Sequence, residues 1–455
     1  MDLNVNLINQ YYLDFQSKCT DYKKMKDYYD NKQDIDLTYS KKNDRGNFTS
    51  VRNYVAKFVN DETNFVCGVP VNYISSSNND DVIKEIEYNL ATWDKKHDIN
   101  LTREVSIYGE ATELYYIDGR GNFKAKILNP SNSYIVKNEF DEVEMLLYVF
   151  KRTVGNTSNN DDTYIDIYTK DFIYHYKNTI SNNDKGFKIK DLVEDTWSEV
   201  TTPTINIFGE VPIGSDGIGT IFNKIKNAQD EYNLCSSEQI NLVQDLRQFY
   251  LAFINLDPND EKNKNMIQQI NNKSIMFLNG DSDVKTIDKN INDTFMQNVR
   301  NNIKEDIYEL VGHINMQKSP SSNTSGEQII NRMIQLKFRC SELGATLQNI
   351  IIERIRFLFI YRNIKKAKKY DYRDINVKIT LNVPKDWTVM ANVISQLSGS
   401  DVVSKETMRS MLPLDHSPAI EKQKVDREKE EELNSLDSLD ETVIDTPQVN
   451  TNGQE

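Results

Sequence analysis

Residues 208–251 read FGEVPIGSDGIGTIFNKIKNAQDEYNLCSSEQINLVQDLRQFYL. Glycine and proline punctuate the stretch as far as Gly219, and then the pattern changes. Ile221, Ile225, Ala228, Tyr232, Cys235, Ile240, Val243, Leu246 and Tyr250 recur at helical intervals, which predicts one long helix over 221–253. A polar insert follows (LDPNDEKNKN, 256–265), then a helix and a strand-like SIMFLNG (274–280) with a turn at Gly280–Asp281. Helical spacing returns over 288–316, where Phe295, Val299, Ile303, Ile307 and Val311 stand four apart. At 1.5 Å per residue, 296–316 alone would span about 31 Å. Two long helices around a compact insert describe a chain that leaves a body, builds a tip and returns.

Beyond the second helix, MQKSPSSNTSGEQ (316–328) is rich in Ser, Pro and Asn and cannot continue a helix. A very long helix is expected over 326–369, and its basic end, RNIKKAKK, suits a helix C-terminus. INVKITLNV (375–383) reads as a strand that must rejoin a sheet made by the first half of the chain. Three short helical pieces come next, separated by SGSD and LPLDHSP, the last of them over 418–433. The acidic remainder, 434–455, has the composition of a disordered tail. In the first half, a polar helix is expected over 21–30, and a helical segment with a strand broken at Gly68 and Pro70 over 47–73. Residues 101–123 read as a helix entering a strand, with a turn at Gly119–Arg120–Gly121. MLLYVFKRTV (145–154) and YIDIYTKDFIYHY (164–176) alternate with period two, and a third strand is expected near 204–207. The first half is therefore α+β.

With 455 residues, the chain has room for two to four compact units or one elongated one. Its most apolar stretch, 350–361, is interrupted by Glu353, Arg354 and Arg356, far short of a membrane span. The opening MDLNVNLINQYYLDF lacks the basic and apolar regions of a signal peptide. Four scattered cysteines without a C-x-x-C pair read as reduced thiols in a cytoplasm. A net charge of −14 disfavours tight nucleic-acid binding by the whole surface, though not the passage of DNA as cargo. The four histidines form no metal-ligand spacing, and there is neither a phosphate-binding G-x-x-x-x-G-K-[ST] nor a G-x-S-x-G. No catalytic residue, metal or cofactor is expected. A chain so poor in candidate active sites reads as a structural or assembly protein.

The resemblance to a known family lies in four stretches. They are VRNYVAKFVNDETNFVCGVPVNY (51–73), the block quoted first, SGEQIINRMIQLKFRCSELGATLQNIIIERIRFLF (325–359), and LNVPKDWTVMANVISQLSGSDVVSKETMRSMLPL (381–414). In the second stretch Val211, Pro212, Ile213, Ala228, Tyr232, Asn233, Ser236 and Asn241 match, and in the fourth Ser404, Glu406 and Thr407. Together they resemble the portal proteins of tailed bacteriophages, of the siphophage type from Gram-positive hosts, over roughly 45–435. Order and spacing carry the likeness; Phe249–Tyr250–Leu251–Ala252 stands where the family usually has Ala-Tyr-Leu-Val.

The resemblance implies an α+β portal fold. It assigns 1–220 to an α/β wing, 221–256 to a first stem helix region, 257–288 to a small mixed clip and 289–316 to a second stem helix. A tunnel loop (317–325), a long wing helix with its returning strand (326–384) and crown helices (385–433) follow. It further implies a homo-oligomeric ring, typically of twelve subunits, at one vertex of a virion capsid and assembled in the host cytoplasm. Double-stranded DNA would pass through without tight binding. The implied partners are a terminase motor, head–tail connector or adaptor proteins, and the major capsid and scaffolding proteins; no membrane is involved. On this reading Lys318, Ser319, Pro320, Ser321, Ser322 and Asn323 line the channel, Lys304 sits on the stem, and Asp260, Glu261 and Lys264 of the clip meet partners. An acidic ring suits a conduit, because a basic lining would hold DNA through counterion release. The alternatives are a DNA-handling phage enzyme, such as a nuclease or terminase subunit, and an adaptor or scaffold that forms no ring.

Overall fold

The computed structural model describes residues 5–35, 48–153, 161–178, 197–246, 250–254, 261, 283–287, 293–315, 333–365, 369–383, 387–398, 403–412 and 418–440. The chain divides into two units, one made of 1–22, 60–219 and 321–455, the other of 23–59 and 220–320.

The first unit begins within helix α1 (Val5–Tyr29). Ile8, Tyr12 and Phe15 share one helical face and are buried against Met145, Leu147, Ile165, Ile167 and Tyr176. Those five belong to a five-stranded antiparallel sheet in the order β4 (Ser133–Lys137), β5 (Val143–Thr153), β6 (Asp161–Tyr168), β7 (Phe172–Asn178), β8 (Trp197–Ile205). The helix expected over 21–30 is thus only the polar end of a longer one. Its earlier turns are helical because a distant sheet covers them, which local sequence does not show. The run 164–176 is two strands, since the hydroxyl of Thr169 accepts from the backbone N–H of Phe172 (3.2 Å) and closes a turn. Strand β8 begins at Trp197, earlier than the expected 204.

Helix α2 (Tyr54–Cys67) ends where the sequence suggested a strand, so only β1 (Asn72–Ser75) of that run is extended. The cause is a close approach at Gly68. A side-chain carbon there would lie 2.3 Å from the Asn382 amide nitrogen and 2.5 Å from the Asn64 carbonyl. Gly68→Val should therefore cost the first unit about 1–3 kcal/mol, read as a lower urea midpoint for that unit's transition. Helices α3 (Asp80–Leu90) and α4 (His97–Tyr108) precede β2 (Glu110–Ile117) and β3 (Phe123–Leu128), and β2 pairs on its other side with β9 (Ile213–Gly217).

The second unit contains α5 (Ile221–Leu246), the antiparallel pair β10 (Tyr250–Ile254) and β11 (Asp283–Ile287), and α6 (Asp293–Leu310). Tyr250, counted in the helical register of 221–253, is in a strand. A run of aromatic and branched residues fits either period, and pairing with 283–287 decides it. The second helix, expected to reach 316, stops at Leu310. Gly312 adopts φ +68°, the His313 N–H reaches the Tyr308 carbonyl (2.9 Å) and the Gly312 N–H reaches that of Glu309 (3.0 Å), a Schellman ending. The strand-like 274–280 lies outside the described residues.

Back in the first unit, α7 (Ile334–Lys365) runs through the largest core, burying Leu343, Leu347, Ile350, Ile351, Phe357 and Leu358. β9 crosses it at Gly214, where a side-chain carbon would lie 3.0 Å from the Ile350 carbonyl. The returning strand, β12 (Ile375–Lys378), pairs antiparallel with β1, Ser75 opposite Ile375. It joins the first half of the chain as the sequence required. Helices α8 (Trp387–Ser398), α9 (Lys405–Met411) and α10 (Pro418–Asp440) follow. Ser404 caps α9 through its hydroxyl, which accepts from the Thr407 N–H (3.1 Å). Disorder was expected from 434, yet α10 continues to Asp440. Leu433, Leu436 and Leu439 keep a three-residue spacing there. Residues 441–455 lie outside the described residues.

Candidate functional site

Within the second unit, α5 and α6 pack side by side in opposite directions. Arg300 of α6 donates to Gln239 of α5 (2.8 Å), and Tyr232 and Tyr308 both set their rings edge-on to Tyr54. The same cluster takes in Phe58, which is fully buried, and His313, 4.5 Å from it. His313 thus fixes the end of the second long helix immediately before the segment read as the tunnel loop.

The buried face of α5 changes character along its length. Ile221, Phe222 and Ile225 begin it, but Gln229, Asn233, Ser236 and Ser237 continue it. Gln229, Asn233, Ser237 and Asn241 stand four apart, and each accepts a backbone N–H from a residue of 48–54. Tyr54 donates to Gln229 (2.9 Å), Arg52 to Asn233 (3.0 Å), Ser50 to Ser237 (2.8 Å) and Phe48 to Asn241 (2.9 Å). Four helical residues advance about 6.0 Å and two residues of extended chain about 6.6–6.8 Å. The two periods nearly coincide, so a strictly spaced row of polar side chains can satisfy alternate N–H groups of a passing segment. Buried N–H groups need such partners. Apolar periodicity finds the helix but overlooks this row, although its i, i+4 spacing is visible in the sequence.

Lys304 lies on α6, half-buried and with an interaction partner in its own chain. Glu261 is exposed. Asp260, Lys264, Lys318, Ser319, Pro320, Ser321, Ser322 and Asn323 lie outside the described residues.

The first unit holds the densest buried charge. Arg354 of α7 is 1% exposed and Glu113 of β2 is fully buried. The guanidinium donates to both Glu113 oxygens (Nε to Oε2 3.0 Å, Nη2 to Oε1 2.6 Å) and to Asp98 of α4 (2.7 Å). Glu113 also accepts from the Tyr115 hydroxyl (3.0 Å) and meets His97 Nε2 at 2.6 Å. The guanidinium lies 5.2 Å from the Trp93 ring centre. Burial pushes the Glu113 carboxyl up, but Arg354 and the bonds from His97 and Arg354 outweigh it and hold the group down at about 2. His97, Asp98 and Glu113 are the one group among the described residues with the spacing of metal ligands. Arg354 already supplies the positive charge there, so the cluster ties α7, β2 and α4 together and has no need of an ion. The sequence showed Arg354 only as an interruption in an apolar run.

Paired long helices, a helix running through the core and a buried charge cluster closed by arginine belong to an α+β fold. The chain belongs to the phage portal protein family, SPP1 Gp6-like, whose profile matches residues 9–435. That family is structural rather than enzymatic, and its members are virion components. Solved structures similar to the chain include the neck of a native gene transfer agent particle computed with C12 symmetry, at 12% identity and TM-score 0.44, covering 78% of this chain and 88% of that one. The neck of the empty particle computed with C6 symmetry gives 13% and 0.46, covering 79% and 89%. The virion of the native particle gives 13% and 0.44, with the same coverage. No curated protein matches the chain.

Proposed function

We propose that this portal protein forms a ring at one capsid vertex. The ring would be the channel through which double-stranded DNA is packaged and ejected, and the docking site for a terminase motor and then for head–tail connectors. Supporting this beyond family membership is the state of the two long helices. Leu234, Ile240 and Val243 of α5 and Phe295 of α6 are 48%, 40%, 54% and 61% exposed, whereas Gln229, Asn233 and Ser237 are buried. Apolar surface of this kind on paired helices suits burial against neighbouring copies. In this reading α5 and α6 are the stem, 257–288 the clip, 317–325 the channel-lining loop, and 385–433 the crown. Twelve copies would carry a strongly negative total charge, since each contributes −14, so DNA would slide without being held. Lys304 already has a partner in its own chain, so Lys318 would be the main cationic contact. Assembly would take place in the host cytoplasm, with the capsid and scaffolding proteins as further partners.

Negative-stain imaging and mass photometry should show a ring of about a dozen chains with a central hole. A monomer that cuts DNA with a divalent ion would instead indicate a DNA-handling enzyme. The double variant Lys318→Glu/Pro320→Gly should shorten the DNA packaged per particle, and unchanged length would leave 317–325 as a linker. Charge reversal at Asp260, Glu261 and Lys264 should impair motor stimulation while leaving rings intact.

A further inference from the structure

A groove of about 1090 Å³ opens in the first unit between the β4–β5 turn, the β6–β7 turn and α7. Its volume lies just above the range of small-molecule sites, about 300–1,000 Å³, and leaves room for a short polypeptide segment. Its floor is apolar, with Met145, Val211 and Ile213 at 4%, 7% and 5% exposure. The lip is apolar as well. Phe172 lines the groove and is 42% exposed, and its cross-strand neighbour Ile205 is 74% exposed. The walls are acidic. Six carboxylates line them against Lys137, Lys170 and Arg356, and Arg356 is already taken by Glu210 (2.6 Å) and Glu353 (2.7 Å). Among the described residues, Asp141, Glu144 and Asp171 show no ionic partner.

We infer that this groove docks a cationic amphipathic segment of another protein, its apolar side on Phe172, Val211 and Ile213 and its basic side on Glu144 and Asp171. Charge complementarity selects that occupant. Nucleic acid is repelled by the acidic walls, and any protein segment seated there, from whatever chain, has to be locally basic to match them. The exposed lip needs an apolar cover that a simple cation does not provide. The inference concerns the first unit only and stands apart from the channel reading of the second.

The test uses the full chain and a fluorescein-labelled amphipathic Lys/Leu peptide, with its Glu/Leu counterpart as control, followed by anisotropy at several salt concentrations. The Lys/Leu peptide should bind, more weakly as salt rises, and the Glu/Leu peptide should not. Glu144→Lys/Asp171→Lys and Phe172→Ser should each weaken binding at least about tenfold. Glu430→Lys/Glu431→Lys, on exposed residues of α10, should leave it unchanged. Equal loss in both charge-reversed proteins would show general attraction to an acidic chain and overturn the proposal, as would absence of binding. Hydrogen exchange on the unaltered protein gives an answer that does not depend on the variants folding. Peptide-induced protection over 137–145 and 169–174 supports the site, and protection confined elsewhere refutes it.

Discussion

Arg354→Met is expected to destabilise the first unit by about 3–5 kcal/mol at neutral pH, enough to leave much of the protein unfolded or insoluble. The side chain is 1% exposed, so its removal strands the fully buried Glu113 without the guanidinium that balances it. Stranding one buried charge costs more than the pair itself contributes. The double variant Arg354→Met/Glu113→Met should therefore recover part of the loss, and a double variant worse than the single one would contradict this account. The pH dependence supplies a second check. Glu113 is held at about 2 in the folded protein, below its ordinary 4.5. Its contribution, about 3 kcal/mol, is fully present above 4.5 and is lost as pH falls from there through 2. In Arg354→Met, burial acts on the carboxyl without that opposition, so protonation relieves the variant. The stability gap between the two proteins should narrow on acidification, as measured by urea unfolding at a series of pH values.

Asn233→Leu should cost the second unit about 2–5 kcal/mol. Asn233 is fully buried, accepts from the Arg52 N–H and donates to the Gln33 side-chain carbonyl, and leucine of similar size leaves both unpaired. Circular dichroism during denaturation should show the loss, and limited proteolysis should show faster cleavage within 48–54. The adjacent Leu234→Asn, at a position 48% exposed, should alter chain stability by no more than about 0.5 kcal/mol. Its effect is expected instead in the mass of the assembled ring. If Asn233→Leu proved neutral, the polar row on α5 would have no structural weight.

Much of the architecture was legible because its causes are local. The helix from Ile221 shows in residues repeating every three or four positions. The cap at Ser404 is a hydroxyl within the Ser-x-Glu-Thr that supported the resemblance, whereas the ending at Gly312 was not read, the second helix having been carried on to 316. Strand β12 was expected to rejoin the first half, and it pairs with β1. Tyr250, the early turns of α1 and the end of α2 were misread. In each case a local pattern fits two conformations and a distant contact chooses between them.

By itself the sequence determined the α+β class, the pair of long helices and the likeness to phage portals. Only the tertiary structure decided that Arg354 closes a buried cluster, that Asn233 holds a passing backbone, and that acidic walls and an exposed Phe172 share one groove. The reason is separation along the chain. Arg354 and Glu113 are 241 residues apart, and Arg52 and Asn233 are 181 apart. A buried polar group is defined by what neutralises it, and neither partner marks the other in its own stretch of sequence.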